Sequence, residues 1–224
     1  GTDGVPKQIW KEAYQNIGIT KPGQLTPGSG TTPTILDEGR YIAITDNADP
    51  MNVVVYRTAA GLGAGIDRKV CEKAVFKAGA SATEDSLVGY GRSLIVANQY
   101  GYRVDWSHLP GTKTESGVTR IDIAADGSGC VEAWTNDTVA VPQVGPKMST
   151  KTGLVYFFTR KYDTKGLDVY YWTAVDFRTG STVWERQVGT GGLFDSYVPG
   201  PAIGPSGTLY VGTYGGVVAL RDGS

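Results

Sequence analysis

The polar residues with the clearest chemical potential lie in one short segment, Thr45-Asp46-Asn47-Ala48-Asp49-Pro50-Met51-Asn52. Asp46, Asn47 and Asp49 place three carboxylate or amide side chains within four residues, and such hard oxygen ligands suit Ca²⁺. Asp, Asn and Pro are also common in hairpin turns, where their side chains bond nearby backbone amides. The segment therefore predicts either a tight turn or a site for a cation or another ligand.

Other catalytic patterns are weak in this sequence. His108 is the sole histidine, and no G-x-S-x-G elbow accompanies it to suggest a nucleophilic triad. No His/Cys cluster has the spacing of a zinc site. The glycine-rich segments at 28–30 and 189–192 do not open a helix, so they do not indicate a phosphate cradle. We interpret His108 as a loop residue.

Composition favours an all-β chain. The 224 residues include 32 Gly, 13 Tyr and 5 Trp, and no stretch shows a sustained helical apolar period with caps. The net charge is −1 without a basic cluster, which argues against a nucleic-acid surface. No apolar run reaches the length of a membrane span. These features predict one continuous domain of packed sheets over residues 1–224.

The most specific motif is the run from Ala174 to Trp184, which reads A-x-D-x-x-T-G-x-x-x-W. Strand-forming residues precede a turn at 178–181, and a second strand follows, so the run predicts a hairpin. A small Ala174 leaves room for a large ring arriving from a neighbouring blade, and Asp176 can bond the turn amides. The run resembles the tryptophan-docking motif of the quinoprotein-like (PQQ-like repeat) β-propellers. This resemblance implies a structural docking set of Ala174, Asp176, Thr179, Gly180 and Trp184.

Repeats support the propeller interpretation, because a glycine followed by an apolar strand recurs at Gly39, Gly91, Gly153 and Gly207. Weaker copies of the docking motif lead to Trp134, to Phe76 in the tryptophan place, to Trp10, and to a start at Ala219. We predict about four blades of four antiparallel strands each. Their approximate ranges are 28–78, 83–136, 141–189 and 196–224, with 1–15 as a closing or preceding outer strand.

The phase of these repeats has two explanations. In the first, the segment around Ile9 and Trp10 pairs with Val217 to Leu220 and closes four blades into a ring. In the second, the chain is half of a seven- or eight-bladed propeller. We favour the second, since quinoprotein-like propellers usually have seven or eight blades. An open half exposes sheet edges that invite pairing, so its partner is either a second half of the same propeller or a second copy.

Counting seven residues from each repeated glycine gives Asp46, Asn98, Arg160 and Tyr214. In a propeller, equivalent places converge on the central channel. An Asp and an Asn on adjacent blades resemble the calcium-dependent lactonase and arylesterase propellers, which implies Asp46, Asn47 and Asn98 as metal ligands. Arg160 instead favours an anionic or sugar-like ligand. The ligand-binding candidates are Asp46, Asn47, Asp49, Asn98, Arg160 and Tyr214.

Cys71 and Cys130 are the only cysteines, and both fall early in the outermost strands of consecutive predicted blades. They form either a disulfide or two separate thiols, and a disulfide predicts a periplasmic or extracellular protein. Quinone-dependent dehydrogenases of similar fold carry adjacent cysteines under the cofactor, whereas these two are far apart. The resemblance therefore does not predict bound PQQ.

Three function classes follow. The first is a non-catalytic propeller that acts as a scaffold for a small molecule or a protein at one face, without nucleic acid or a membrane span. The second is a calcium-dependent hydrolase with its site at the central channel. The third is a segment of a quinone-dependent dehydrogenase. No cofactor is predicted for the first class, and Ca²⁺ is the candidate for the second.

Overall fold

A computed structural model describes residues 4–102, 113–142, 144–163, 165–196 and 200–223. Fifteen strands and two single-turn 3₁₀ helices, Asp37–Gly39 and Gly192–Phe194, lie in this part of the chain. The strands are β1 Thr34–Leu36, β2 Tyr41–Thr45, β3 Asn52–Arg57, β4 Lys69–Ala74, β5 Val88–Tyr90, β6 Ser93–Ala97, β7 Val118–Ile123, β8 Cys130–Asn136, β9 Lys147–Ser149, β10 Leu154–Tyr162, β11 Asp168–Asp176, β12 Thr182–Thr190, β13 Ala202–Ile203, β14 Leu209–Thr213 and β15 Gly216–Leu220.

These strands form four antiparallel sheets in chain order. Blade 1 is β1 to β4, blade 2 is β5 to β8, blade 3 is β9 to β12, and blade 4 is β13 to β15. The first strands of neighbouring sheets adjoin one another, β1 against β5 and β9 against β13. The all-β propeller arrangement predicted from the sequence is confirmed. No helix within the described ranges is both long and apolar enough to cross a membrane.

The strand β6 of blade 2 is buried on both faces because blade 2 packs between blades 1 and 3. In β6, Leu94 and Val96 belong to the core shared with blade 1, whereas Ile95 and Ala97 belong to the core shared with blade 3. Alternate side chains of a strand point to opposite faces, so a continuous apolar run fills two cores at once. Fully burying one such side chain contributes about 1.5–3 kcal/mol to folding.

The junction of blades 2 and 3 is closed by a docked tryptophan. The Trp134 indole N–H donates to the Phe177 carbonyl at 3.0 Å, and its ring lies directly over Gly180. The Asp176 carboxylate shapes the receiving turn by accepting from the backbone N–H groups of Arg178 (2.9 Å) and Thr179 (2.8 Å). The docking turn therefore holds a ring from the preceding blade.

Ala174 has a different part from the one predicted. It pairs across the strands with Trp184 of its own hairpin, so its small side chain makes room for that ring and not for one from another blade. Trp184 itself packs in the core shared by blades 3 and 4 and lies 6.0 Å from the Tyr156 ring.

The junction of blades 1 and 2 carries a disulfide between Cys71 of β4 and Cys130 of β8. In blades 2 and 3 the tryptophan stands opposite the residue just before a β-bulge, as in the pair Ala174 and Trp184. Blade 1 has the same bulge, and the residue in that place is Cys71, opposite Val55. The disulfide thus occupies the register position of the docking tryptophan.

The prediction that Phe76 fills the tryptophan place is therefore wrong. Phe76 lies beyond the end of β4 and packs against Gly117. The hairpin that leads to Trp134 is longer than the one that leads to Trp184, because the β7–β8 ladder continues through the pairs Asp122–Val131 and Ile123–Cys130.

The N-terminal segment lies on blade 1. The Trp10 indole N–H donates to the Thr58 carbonyl at 3.3 Å, and the Arg68 guanidinium stacks 4.8 Å from the ring centroid. No strand is assigned from 5 to 15. β15 pairs with β14, and among the described residues no strand pairs with its other edge. The alternative in which the segment around Trp10 pairs with β15 of the same chain is therefore not the arrangement seen.

Candidate functional site

The segment after β2 folds into a tight turn around Asp46. One carboxylate oxygen of Asp46 accepts from the backbone N–H groups of Ala48 (3.1 Å) and Asn52 (2.8 Å), and the other accepts from the Asn52 side-chain amide (2.7 Å). Asp46 is fully buried. Its oxygens therefore close the loop between β2 and β3, as the turn interpretation of this segment requires.

A lysine lies beside this acidic loop. The Lys21 ammonium is buried and donates to the Ala48 carbonyl at 2.6 Å. Burial lowers the pKa of Lys21, while the nearby Asp49 and Asp46 carboxylates act in the opposite direction. The loop thus holds a cationic group of the chain itself among its carboxylates.

Asn47 and Asp49 connect the loop to other segments. The Asn47 amide donates to the Asn16 side chain (3.0 Å) and to the Ile19 carbonyl (2.9 Å). Asp49 accepts from the Gly79 backbone N–H at 2.6 Å. The Asn47 side-chain oxygen Oδ1 is buried and accepts no hydrogen bond from the described residues.

Asn98 performs the same kind of work at the end of β6. Its amide donates to the Ala80 carbonyl at 2.9 Å, and its oxygen accepts from the Ala82 (3.2 Å) and Tyr100 (3.1 Å) backbone N–H groups. These bonds attach the segment between blades 1 and 2 to the end of a blade 2 strand. The structure therefore places Asp46 and Asn98 at equivalent strand ends, and both bind backbone.

Arg160 is not equivalent to Asp46 and Asn98. The strand ladders show which residues are equivalent in blades 1 to 3. Tyr41, Ser93 and Leu154 are equivalent, because each lies two residues before the residue that pairs with the position preceding the bulge. The third equivalent of Asp46 is therefore Thr159. β10 begins directly after its glycine, whereas β2 and β6 begin one residue later, so counting from the glycine misses the register.

Arg160 belongs to a separate buried polar cluster between blades 2, 3 and 4. Its guanidinium donates to the Thr114 hydroxyl at 2.6 Å, lies 3.6 Å from the Asp168 carboxylate and stacks 5.3 Å from the Tyr102 ring. Burial raises the pKa of Tyr102, so its hydroxyl stays protonated and donates to Asp195 at 3.3 Å. The cluster thus joins Arg160 directly to Asp168 and, through Tyr102, to Asp195.

The remaining candidates are dispersed. Tyr214 donates its backbone N–H to the Asp195 carbonyl at 3.0 Å, and its side chain is partly exposed. His108 lies outside the described residues. Within the described ranges, no three His, Cys, Asp or Glu side chains gather in a way that could hold a metal ion. The structure thus spreads the predicted ligands over two loops and one buried cluster.

A cleft of about 610 Å³ lies along the first strands of blades 2 and 3 and beside the segment that precedes blade 1. Its wall includes the continuous run from 84 to 90 and the segment from 145 to 148. Charged groups in the wall are Glu84, Asp85 and Lys147, and apolar groups include Leu87 and Met148. None of the six ligand candidates from the sequence is among the described residues that line it. The short strands that form its wall carry no motif in the sequence.

Among the titratable groups of the cleft wall, Asp85 has the most strongly shifted pKa. It is 8% exposed, and burial raises the pKa of its carboxyl well above the ordinary value. The Val144 backbone N–H and the Gln99 side-chain amide donate to it and act in the opposite direction. Gln99 in turn accepts from the Glu84 backbone N–H at 2.8 Å. This network fixes the wall of the cleft where blades 2 and 3 meet.

No protein-family model matches the chain. An uncharacterized protein of Archaeoglobus fulgidus is 27% identical over 239 residues, and the match covers 94% of this chain and 45% of the relative. The chain therefore spans about half the length of the curated relative it matches.

Two solved structures are similar to the chain. BamB from Moraxella catarrhalis has a TM-score of 0.54 at 17% identity, over 86% of this chain and 49% of that protein. The quinohemoprotein alcohol dehydrogenase ADHIIG from Pseudomonas putida HK5 has a TM-score of 0.44 at 15% identity, over 82% of this chain and 28% of that enzyme. The likeness to BamB, together with the four antiparallel sheets, shows that the chain has a β-propeller fold.

Proposed function

We propose that the chain is a non-catalytic β-propeller scaffold that binds a small molecule or a protein segment in the cleft between its first strands. The observation that carries this proposal is the use of the polar groups at the strand ends. Asp46, Asp49 and Asn98 all bind backbone groups of the chain itself. Side chains committed in this way position loops, and they leave the cleft as the surface suited to an external ligand.

The chemistry of the cleft supports a binding role. Its wall combines apolar surface with a few fixed polar groups, which is the usual composition of a ligand site. Ser86 and Tyr90 are exposed in the wall, and Lys147 faces the same space as Glu84. Such a cleft accepts a ligand with both apolar and hydrogen-bonding parts.

A fragment screen by ligand-observed NMR, using a library of soluble compounds and short peptides, tests the cleft directly. A Ser86→Trp variant fills the cleft and should lose most hits, while the matched Ser128→Trp variant at an exposed turn should keep them. Hits that survive Ser86→Trp unchanged would place the binding surface elsewhere. Turnover of any hit would contradict the non-catalytic assignment.

The second candidate is a calcium-dependent hydrolase, favoured by the buried Asn47 side-chain oxygen, which lies in the same loop as Asp46 and Asp49. Lys21 weighs against it, because a buried ammonium among the same carboxylates repels a second cation. For the scaffold we expect no change in melting temperature with Ca²⁺ or with a chelator. The Lys21→Met variant should melt at lower temperature, while Lys151→Met at an exposed site should not. A rise in melting temperature with Ca²⁺ in the unmodified chain would favour the hydrolase.

A periplasmic or extracellular location is proposed on the basis of the disulfide, because such bonds persist in oxidising compartments. The same bond bears on the third candidate. Both cysteines of the chain are joined to each other between blades, so neither is available for the adjacent-cysteine arrangement of quinone-dependent dehydrogenases. Absorbance of a quinone after addition of PQQ to the purified chain would revive that candidate.

A further inference from the structure

Two charged side chains lie on different sides of the cleft. Glu84 packs against Gly30, in the segment that precedes blade 1, where a Cβ on the glycine would lie 2.7 Å from the Glu84 carboxyl carbon. Lys147 of β9 lies beside Gly200, in the segment that precedes blade 4, and its Nζ is 3.7 Å from the place of a Cβ there. The cleft therefore has a carboxylate toward blade 1 and an ammonium toward blade 4.

The two carboxylates of the cleft wall are bound by groups of the chain itself. Glu84 accepts from the backbone N–H groups of Leu25 (2.5 Å) and Thr26 (3.3 Å). Asp85 is buried and accepts from the Gln99 side-chain amide. These hydrogen bonds position neighbouring segments of the wall, so the carboxylates have a structural use that needs no ligand.

The Lys147 ammonium differs from these carboxylates. Its side chain is exposed in the cleft wall, and among the described residues it donates no hydrogen bond and forms no ion pair. An anionic group of a ligand can replace the water around such an ammonium with a charge-assisted hydrogen bond. Lys147 is therefore the charged group of the described wall that no other part of the chain occupies.

Glycines leave space beside this ammonium. A Cβ at Gly145 would meet only the Ser86 carbonyl oxygen, at 3.8 Å, and a Cβ at Gly200 would meet the Gly145 carbonyl oxygen at 3.4 Å. Ser86 and Thr150 are exposed in the same wall, and their hydroxyl groups can donate to an anion. This end of the cleft thus combines one positive charge with neutral hydrogen-bond donors.

The remainder of the wall is largely apolar. Leu25 and Tyr90 are each half-exposed, and Leu87, Val88 and Met148 complete this surface. The cleft volume of about 610 Å³ suits a small organic molecule. A ligand that fits both ends of the cleft has an apolar body and one anionic group.

We propose that the ligand of the cleft is a small apolar monocarboxylate and that the Lys147 ammonium binds its carboxylate. This inference rests on the proposed function, because it names the ligand class of the same cleft. One ammonium balances one negative charge. A doubly charged phosphate would face the Glu84 carboxylate without a second cation among the described residues of the wall.

Ligand-observed NMR titration with matched probes tests the ligand class. The probes are hexanoate and 3-phenylpropionate, each compared with its primary amide, which has nearly the same shape and no charge. At low ionic strength we expect each acid to bind about ten-fold more tightly than its amide, because hydrogen bonds to charged groups are the stronger ones. Added salt should reduce this preference.

Substitution of Lys147 tests the residue. Lys147→Met should weaken binding of the acids about ten-fold and leave the amides unchanged, whereas Lys147→Arg should keep the preference for the acids. The matched variant Lys151→Met removes the same charge from the exposed turn that follows β9 and should bind the acids as the unmodified chain does. An equal loss in Lys151→Met and Lys147→Met would overturn the assignment of Lys147. Circular dichroism verifies that each variant is folded.

The Ser86→Trp variant separates this inference from the proposed function. Acids and amides that bind equally well, and that Ser86→Trp abolishes together, would overturn the carboxylate assignment and leave the cleft as a binding site. Acids whose binding survives both Ser86→Trp and Lys147→Met would overturn both proposals, because the ligand then lies elsewhere. If no acid binds, the carboxylate assignment is wrong, whereas screening hits of other chemistry that Ser86→Trp removes would still support the scaffold.

Discussion

The junction of blades 1 and 2 and the junction of blades 2 and 3 solve one structural problem with different chemistry. In the first, Cys71 reaches across to Cys130 and forms a covalent bond. In the second, Trp134 lies over Gly180 and donates a hydrogen bond to Phe177. Both attachments start from the same register position, opposite the residue before a bulge.

The comparison shows that the position, more than the residue in it, is what the blade repeat provides. A bulge increases the local twist of the outer strand and directs one side chain toward the next blade. A large ring at this position gains stability from apolar burial and one hydrogen bond, and it needs a turn that accepts it. A cysteine at this position needs only a second cysteine within reach.

Removing the disulfide should have the largest effect. The double variant Cys71→Ala with Cys130→Ala frees a loop of 59 residues, and loop-closure entropy gives a loss of about 4 kcal/mol in the free energy of unfolding. Urea titration followed by fluorescence measures this loss. A reducing agent should destabilise the unmodified chain and leave the variant unchanged; equal sensitivity of both would show that the bond contributes little.

Truncating the docked ring should rank second. Trp134→Ala removes the packing over Gly180 and the bond to Phe177, and we expect a loss of about 3 kcal/mol because the ring is partly exposed. The matched Trp134→Phe variant keeps much of the packing and should lose about 1 kcal/mol for the hydrogen bond. If Trp134→Ala costs as little as Trp134→Phe, ring packing does not hold this junction.

The receiving turn provides a smaller and more specific test. Gly180 has φ +76° and a Cβ there would meet the Trp134 ring at 2.5 Å, whereas Gly166 has φ +75° with open space around it. Gly166→Ala should cost about 1 kcal/mol for backbone strain alone, and Gly180→Ala should cost about 1 kcal/mol more for displacing the ring. Chemical denaturation of the two variants gives the difference, and equal losses would mean that the ring does not rest on this glycine.

The smallest expected effect concerns how the stability of the fold depends on pH, through the carboxylates in the hairpin turns of blades 2 and 3. Hydrogen bonds from Thr179 lower the pKa of Asp176, and hydrogen bonds from Ser128 lower the pKa of Asp126 in the turn of blade 2. A carboxyl with a lowered folded pKa stabilises the fold above its ordinary value of 3.8 and loses that contribution as pH falls through the folded value. Melting temperatures from pH 5 downward should fall less steeply in Asp176→Asn and in Asp126→Asn. A slope unchanged in both variants would contradict the role of these turns.

The sequence predicted the tryptophan-docked junction of blades 2 and 3 better than the disulfide-bonded junction of blades 1 and 2. The motif from Ala174 to Trp184 and its weaker copy ending at Trp134 are short sequence patterns. In each, the turn residues and the tryptophan belong to the same hairpin, so a short stretch of sequence is enough to recognise the pattern. Cys71 was recognisable as a cysteine near an outer strand, but its equivalence to a tryptophan depends on the bulge beside Val55. A bulge changes the residue count along the outer strand, and spacing alone does not reveal it.

The candidate site was less predictable for a related reason. The turn role of Asp46 follows from neighbouring residues, and the turn interpretation is what the hydrogen bonds show. The position of Lys21 depends on where the N-terminal segment crosses blade 1, and Asp85 is buried by segments far from it in sequence. Contacts of this kind arise only when the blades assemble.

Lys21 also has a consequence for the conditions in which the protein works. Its ammonium supplies, within the chain, the positive charge that many acidic loops draw from dissolved calcium. On the scaffold proposal, we therefore expect the 45–52 loop to keep one conformation in calcium-poor and in calcium-rich surroundings.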